Sequence, residues 1–165
     1  IWKGLVGSEM CIRDRSMKLM SRNDIRLIIA GEFYEPVDRY LSLINDLDLS
    51  EKIIIYNKFL DSKMIRDYIC ASDLIIQPYI KASQSGITPL CYLYNTPLVV
   101  SNIEGLKEVI HRDKSGAIFN ETAESLSNVI LESLDEKILN SYRQNIKKSK
   151  TKYSWSSFVK ELQKL

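Results

Sequence analysis

Short β-branched apolar runs that alternate with amphipathic stretches constrain this chain more than any other feature. IRLIIA (25–30), KIIIY (52–56), DLIIQ (73–77) and PLVV (97–100) are each too short for a helix and apolar on successive residues. Strands of that kind are buried on both faces, which is the habit of parallel sheets, and parallel strands need crossovers. The intervening stretches supply them. Between 36 and 49 the residues Val37, Tyr40, Leu41, Ile44 and Leu47 recur at spacings of three and four, with Pro36 tolerated at a first turn. Asp61 or Ser62 can cap a helix that carries Met64, Ile65, Tyr68 and Ile69 on one face. Further helices are predicted over 86–94, 104–110, 122–134, 136–149 and 154–165, with a short strand over 117–119. The expected fold class is α/β: a Rossmann-like parallel sheet with helices on both faces, followed by C-terminal helices.

A length of 165 residues suits one domain of about 100–200. The net charge of +2 gives no case for nucleic acid. No run of about 18 apolar residues is present, so no transmembrane helix is expected. Cys11, Cys70 and Cys91 have no metal-ligand spacing and cannot all pair internally. A reducing, cytoplasmic setting fits them, and no metal or cofactor is expected.

In doubly wound sheets ligands gather beyond the carboxyl ends of the strands. Gly31-Glu32, Asn57-Lys58-Phe59, the loop 78–85 and the loop 101–105 all fall at that rim. QPYIKASQSGITPLCYLYNTPLVV (77–100) stands out, because its helix opens on small residues. Unpaired amides and the macrodipole favour an anion at such a helix start. Ser83, Gln84, Ser85, Gly86 and Ile87 are therefore candidate holders of a nucleotide's phosphates. The same turn also reads as a simple helix-capping turn.

The string LVGSEMCIRDR (5–15) resembles the conceptual translation of a transposon-end adapter used in sequencing libraries. Residues 1–16 are on that reading a non-native segment, and the chain is a fragment whose upstream part is lost. Discarding them removes three basic and two acidic residues, leaving a net charge of +1. The alternative is a native N-terminal helix, against which Gly4, Gly7 and Ser8 count.

From 17 onward the motifs resemble the C-terminal, nucleotide-sugar-binding half of the GT-B retaining glycosyltransferases of group 1. IRLIIAGE is similar to that family's strand with Gly and an acid after it, and ICASDLIIQPY to its helix-to-strand piece. ASQSGITPLCYLYNTPLVVSNIEGLKEVI is similar to its central signature, and SGAIF to the strand that follows. The resemblance implies a nucleotide diphosphate sugar as donor substrate and transfer to an acceptor hydroxyl in surface polysaccharide or glycolipid assembly. Ser85 and Gly86 match small residues that approach the diphosphate. Asn57, Lys58, Phe59 and Leu60 match a loop that borders the base, and Glu108 matches the acid of the "GG..E" segment. Where many members carry two glutamates this chain has Ala82 and Leu90, and Glu104-Gly105 replaces Gly-Gly. The implied domain is 17–150, with 151–165 a helix packing toward an N-terminal acceptor domain that is missing. The isolated fragment is expected to be inactive.

Plainer readings stand beside these. Glu108 and Glu32 also read as solvated residues, and His111 as a helix C-terminal partner of the dipole. Cys70 and Cys91 are expected to be buried thiols on apolar helix faces. Lys147, Lys148, Lys150 and Lys152 read as a solvated face, a contact with the missing half, or a peripheral contact with the inner face of an anionic membrane. Two rival functions remain open: a sugar-nucleotide epimerase of the same fold, and a non-catalytic α/β binding module.

Overall fold

The computed structural model of the chain describes residues 6–33, 36–153 and Gln163. Helix α1 (Val6–Leu19) leads into strand β1 (Leu27–Ala30), followed by α2 (Asp38–Asp46), β2 (Ile53–Tyr56), α3 (Ser62–Ala71) and β3 (Ile75–Gln77). Then come α4 (Ile87–Tyr94), β4 (Leu98–Ser101), α5 (Glu104–Asp113), β5 (Gly116–Phe119), α6 (Ala123–Ser133) and α7 (Glu136–Ser149). A 3-10 turn, Lys150–Tyr153, ends the described run. Asp61 caps α3 by accepting from the Met64 amide at 2.7 Å, and Thr122 caps α6 through the Ser125 amide at 3.1 Å. The helix expected over 154–165 lies outside the described residues, Gln163 excepted.

Every strand pair is parallel. The ladders, however, form two groups, β1-β2 and β3-β4-β5, where one continuous sheet was expected. Alternation along the strands splits the core between two helical layers. Val99 and Phe119 face α1, α2 and α6, packing with Met17, Met20, Ile44, Leu126 and Ile130. Leu98 and Val100 face the other way, onto Ile69, Cys91, Tyr92, Leu106, Ile110 and Ile146 from α3, α4, α5 and α7. Strand β4 is accordingly buried at all four positions.

Four local expectations change. Helix α5 runs on to Asp113, where Lys114 closes it in a left-handed conformation (φ 50°). Leu41 is exposed, because α2 turns Tyr40 and Ile44 to the core and Leu41 lies about 100° from Tyr40. Cys70 is exposed for the same reason beside buried Ile69. Cys91 is buried as expected, and that burial pushes its thiol up to about 12, so it stays protonated.

Finally, α1 continues through Gly7 and Ser8, since packing against α6 outweighs a glycine's helix cost of about 1 kcal/mol. The helix buries a charged pair in doing so. Arg13 Nε donates to Asp14 Oδ1 at 2.9 Å and Arg13 Nη2 lies 2.8 Å from the same oxygen, while Asp14 Oδ2 is buried without a hydrogen-bond partner among the described residues. Desolvation raises the Asp14 pKa despite the adjacent guanidinium. A carboxyl more basic in the fold than in the unfolded chain favours folding below its ordinary pKa. That contribution is lost as pH rises through the folded value. Replacing both residues with apolar ones (R13M/D14L) is expected to stabilise the chain by about 1–4 kcal/mol at pH 7. Urea unfolding at pH 4 and pH 7 checks this: the gain grows toward pH 7.

Candidate functional site

Strand β3 ends on a glutamine that is only 2% exposed. A polar side chain in so apolar a strand must find partners, and Gln77 finds them in the next helix. Its Nε2 donates to Ser85 Oγ at 3.0 Å, its Oε1 accepts from Thr88 Oγ1 at 3.2 Å, and its carbonyl accepts from Ser101 Oγ at 3.1 Å. The end of β3, the start of α4 and the end of β4 are thereby tied together.

The loop 78–86 comes out on the surface at this point. Ser83, Gln84 and Gly86 are exposed, while Ser85 and Ile87 are half-buried. Neither α4 nor α5 has a side-chain N-cap, so their first-turn amides depend on other acceptors. At α4 two are taken: Ile87 N donates to Ser85 Oγ at 3.3 Å and Thr88 N to the Ser85 carbonyl at 3.3 Å. The amides of Ser83, Gln84, Ser85 and Gly86 meet no backbone acceptor among the described residues.

This loop packs backbone to backbone on α5. A Cβ on Gly105 would overlap the Ser83 carbonyl oxygen and come within 2.5 Å of the Ala82 carbonyl oxygen. Only glycine permits that approach. Between loop and helix lies an open cleft of about 650 Å³, walled by Ile80, Lys81, Ser83, Ile103, Glu104 and Glu108. Lys81 and Glu108 are exposed there. Glu104, at the mouth, pairs with Lys107 at 2.6 Å, and hydrogen bonding to that ammonium lowers its carboxyl pKa.

Of the residues predicted from sequence, Ser83 and Glu108 meet in this cleft, with Gln84, Ser85, Gly86 and Ile87 continuing along its loop. Gly31 and Asn57 gather at the rim of β1 and β2 instead. Gly31 (φ 142°) adopts a backbone conformation that suits glycine, and Asn57 Oδ1 accepts from the Phe33 amide at 2.9 Å, bracing the two loops. Lys58 lies over the Tyr56 ring, 5.8 Å from its centroid, and Phe59 is 76% exposed. His111 borders a separate cleft of about 390 Å³, with Lys114, Ser141, Tyr142 and Asn145. Sequence reasoning passed over Gln77 and Lys81. The signal for Gln77 was present, as a lone amide closing an otherwise apolar strand. Lys81 carries none, because a loop lysine is ordinarily solvated.

Residues 14–153 match the family model described as glycosyl transferases group 1. The chain belongs to that family. Solved structures agree on the fold. The Anabaena Alr3699/HepE structure in complex with UDP-glucose superposes with a TM-score of 0.75 at 16% identity, covering 99% of this chain and 46% of that one. WaaG, a glycosyltransferase involved in lipopolysaccharide biosynthesis, gives 0.72 at 15% identity over 88% of this chain and 39% of its own. The C-terminal domain of the group 1 protein LpcC from Francisella tularensis gives 0.71 at 18% identity, covering 90% of this chain and 80% of that domain. No curated protein matches. The group 1 chain thus has the fold of the C-terminal GT-B domain and spans under half the length of the HepE and WaaG chains.

Two substitutions test the construction of the cleft. Q77L leaves the Ser85 and Thr88 hydroxyls without their partner, and is expected to cost about 1–3 kcal/mol in urea unfolding and to speed exchange of the Ile87 amide. G105A forces helix and loop apart, and is expected to lower stability by about 1–3 kcal/mol, read from the same denaturation curve.

Proposed function

We propose that this chain is the donor-binding half of a retaining glycosyltransferase that moves a sugar from a nucleotide diphosphate sugar to an acceptor hydroxyl. The observation that carries the reading is the convergence of the loop before α4 and the first turn of α5 around one cleft, beyond the ends of β3 and β4. Family membership over 14–153 supports the reaction class. Surface polysaccharide or glycolipid is the proposed setting, with the acceptor bound by a separate N-terminal half. The protein would work in the cytoplasm, peripherally at the inner face of the membrane; among the described residues no helix is long and apolar enough to cross one.

In the transfer the bond between the anomeric carbon and the phosphate oxygen breaks, and its electron pair stays on the phosphate. The acceptor oxygen forms the new bond to the anomeric carbon and gives its proton to the departing phosphate oxygen. Charge therefore grows on the leaving diphosphate, and donors fixed in advance at that place lower the barrier. The amides of Ser83, Gln84, Ser85 and Gly86 are the proposed donors, each hydrogen bond to a charged oxygen contributing about 1.5–3 kcal/mol. Both bonds at Ser85 Oγ use it as acceptor, so its own proton is available to the ligand. Lys81 supplies positive charge at the same wall. Glu108 is proposed to face the donor sugar, and Phe59 to offer an apolar ring to the base. The described residues contain no group of acidic, histidine and cysteine side chains able to hold a metal; amides and Lys81 are the proposed neutralising groups for the diphosphate.

An epimerase would need an acid/base pair facing one substrate. Glu108 and His111 line different clefts, so that alternative draws no support from the geometry.

UDP is the probe of choice, since HepE was solved with it. In an NMR titration, UDP is expected to bind at about millimolar strength or weaker, about −4 kcal/mol, and to shift the Ser83, Gln84, Ser85 and Gly86 amides. K81A weakens binding several-fold. Shifts confined to the cleft around His111 and Tyr142 would remove the assignment.

A further inference from the structure

We infer that the cleft between the end of α5 and the middle of α7 is a second ligand site, shaped for a sugar unit that bears an anionic group. The site rests on its own geometry. Only its use, to hold a distant unit of an acceptor glycan, rests on the transferase reading.

This cleft lies at the other end of the strands from the loop before α4, since Lys114 and Gly116 open β5 whereas that loop follows β3. Helix α5 serves both. Glu104 and Glu108 line the first cleft, Ile110, His111 and Lys114 the second. At a rise of 1.5 Å per residue Glu104 and Lys114 stand about 15 Å apart along the helix, so the two sites are distinct.

The volume of about 390 Å³ falls in the range of about 300–1,000 Å³ typical of small-molecule sites. Buried Ile110, Ile118 and the half-buried ring of Tyr142 give it apolar lining. Polar groups stand beside them with nothing to bond: the Lys114 ammonium, the His111 imidazole and the Ser141 and Tyr142 hydroxyls make no hydrogen bond or ion pair among the described residues. A strand edge adds more. Leu98 N donates to the Ser115 carbonyl and Asn102 N to the Phe119 carbonyl, so the odd-numbered residues of β5 bond to β4. By alternation Gly116 and Ile118, which line the cleft, turn their N–H and C=O groups outward from the last strand of the sheet. Apolar lining beside paired donors and acceptors suits a sugar ring, whose C–H faces are apolar and whose vicinal hydroxyls each donate and accept.

The anionic group follows from Lys114. Its ammonium is not needed to close α5, because Asn145 Nδ2 already donates to the Lys114 carbonyl at 3.0 Å and the backbone turns there at φ 50°. No acidic residue lines the cleft, so an opposite charge has to come with the ligand. Phosphate alone is a poor match. The cleft sits at a helix C-terminus, with neither first-turn amides nor an arginine fork among its lining, and a bare ion leaves the apolar part unused.

Methyl glucuronide and its neutral match, methyl glucoside, test this in NMR titrations of the chain. The glucuronide is expected to bind at about millimolar strength and to shift the Ile118 and Tyr142 amides and the Asn145 side-chain amide, with the glucoside several-fold weaker at the same signals. K114N keeps a residue that tolerates the left-handed backbone, and is expected to bring the glucuronide down to the glucoside's level. Y142F is expected to weaken both sugars alike. Neither variant changes the UDP shifts at Ser83, Gln84, Ser85 and Gly86, and sugar shifts that persist where UDP gives none would leave this site standing without the nucleotide reading. Four results would overturn the inference: no shift with either sugar, equal binding of the two, inorganic phosphate at equal ionic strength matching the glucuronide, or glucuronide binding undiminished in K114N or Y142F.

Discussion

One buried amide holds together the part of this molecule that matters for chemistry. Gln77 sits where an apolar strand must end and a polar loop begin, and it satisfies both side-chain atoms within the chain. A fully partnered buried polar group fixes geometry because any shift leaves a donor or acceptor unmet at a cost of about 1–3 kcal/mol. Ser85, Thr88 and Ser101 are all held by it, and with them the two loops that form the cleft. The close approach of Gly105 to the Ala82 and Ser83 carbonyls completes the arrangement without any side chain at all. The walls of the cleft are thus set by backbone, and Lys81 and Glu108 stand exposed within it.

The pair at Arg13 and Asp14 makes the contrast. There too polar atoms are buried, but Asp14 Oδ2 goes unpartnered and desolvation raises the carboxyl's pKa. Both are polar groups in a dry place, yet only the first has its hydrogen bonds. The Arg13 guanidinium compensates only one of the two carboxylate oxygens.

Alternating apolar runs made the elements legible, because parallel strands buried on both faces write an unmistakable pattern, and β2, α4 and α7 fall within a residue of their expected bounds. The break between β1 and β3 was not legible. A strand's composition reports that both its edges and faces want cover, and says nothing of whether the neighbour is present. The position of Leu41 and Cys70 was lost for a smaller reason: a run of apolar residues fills more than one face of a helix, and only packing decides which face turns inward. At the site, small residues before α4 announced a helix start, while the partnership of Glu108 with Ser83 needed a contact between segments some 20 residues apart. Spacing along the chain carries no record of it, and the family motif supplied it instead.

The broken sheet and the cleft bear on each other. The residues expected to surround a nucleotide divide between two rims, Gly31, Asn57 and Phe59 on the β1-β2 pair, Ser83, Ser85 and Glu108 on the β3-β4-β5 group. One rim is braced by Asn57 and Phe33, the other by Gln77. Among the described residues they share an apolar core and no ladder, and apolar contact is less directional than a hydrogen bond. A base held by one rim and a diphosphate by the other would need their separation fixed to a fraction of an ångström, since misplacement of about 1 Å already weakens catalysis a hundredfold.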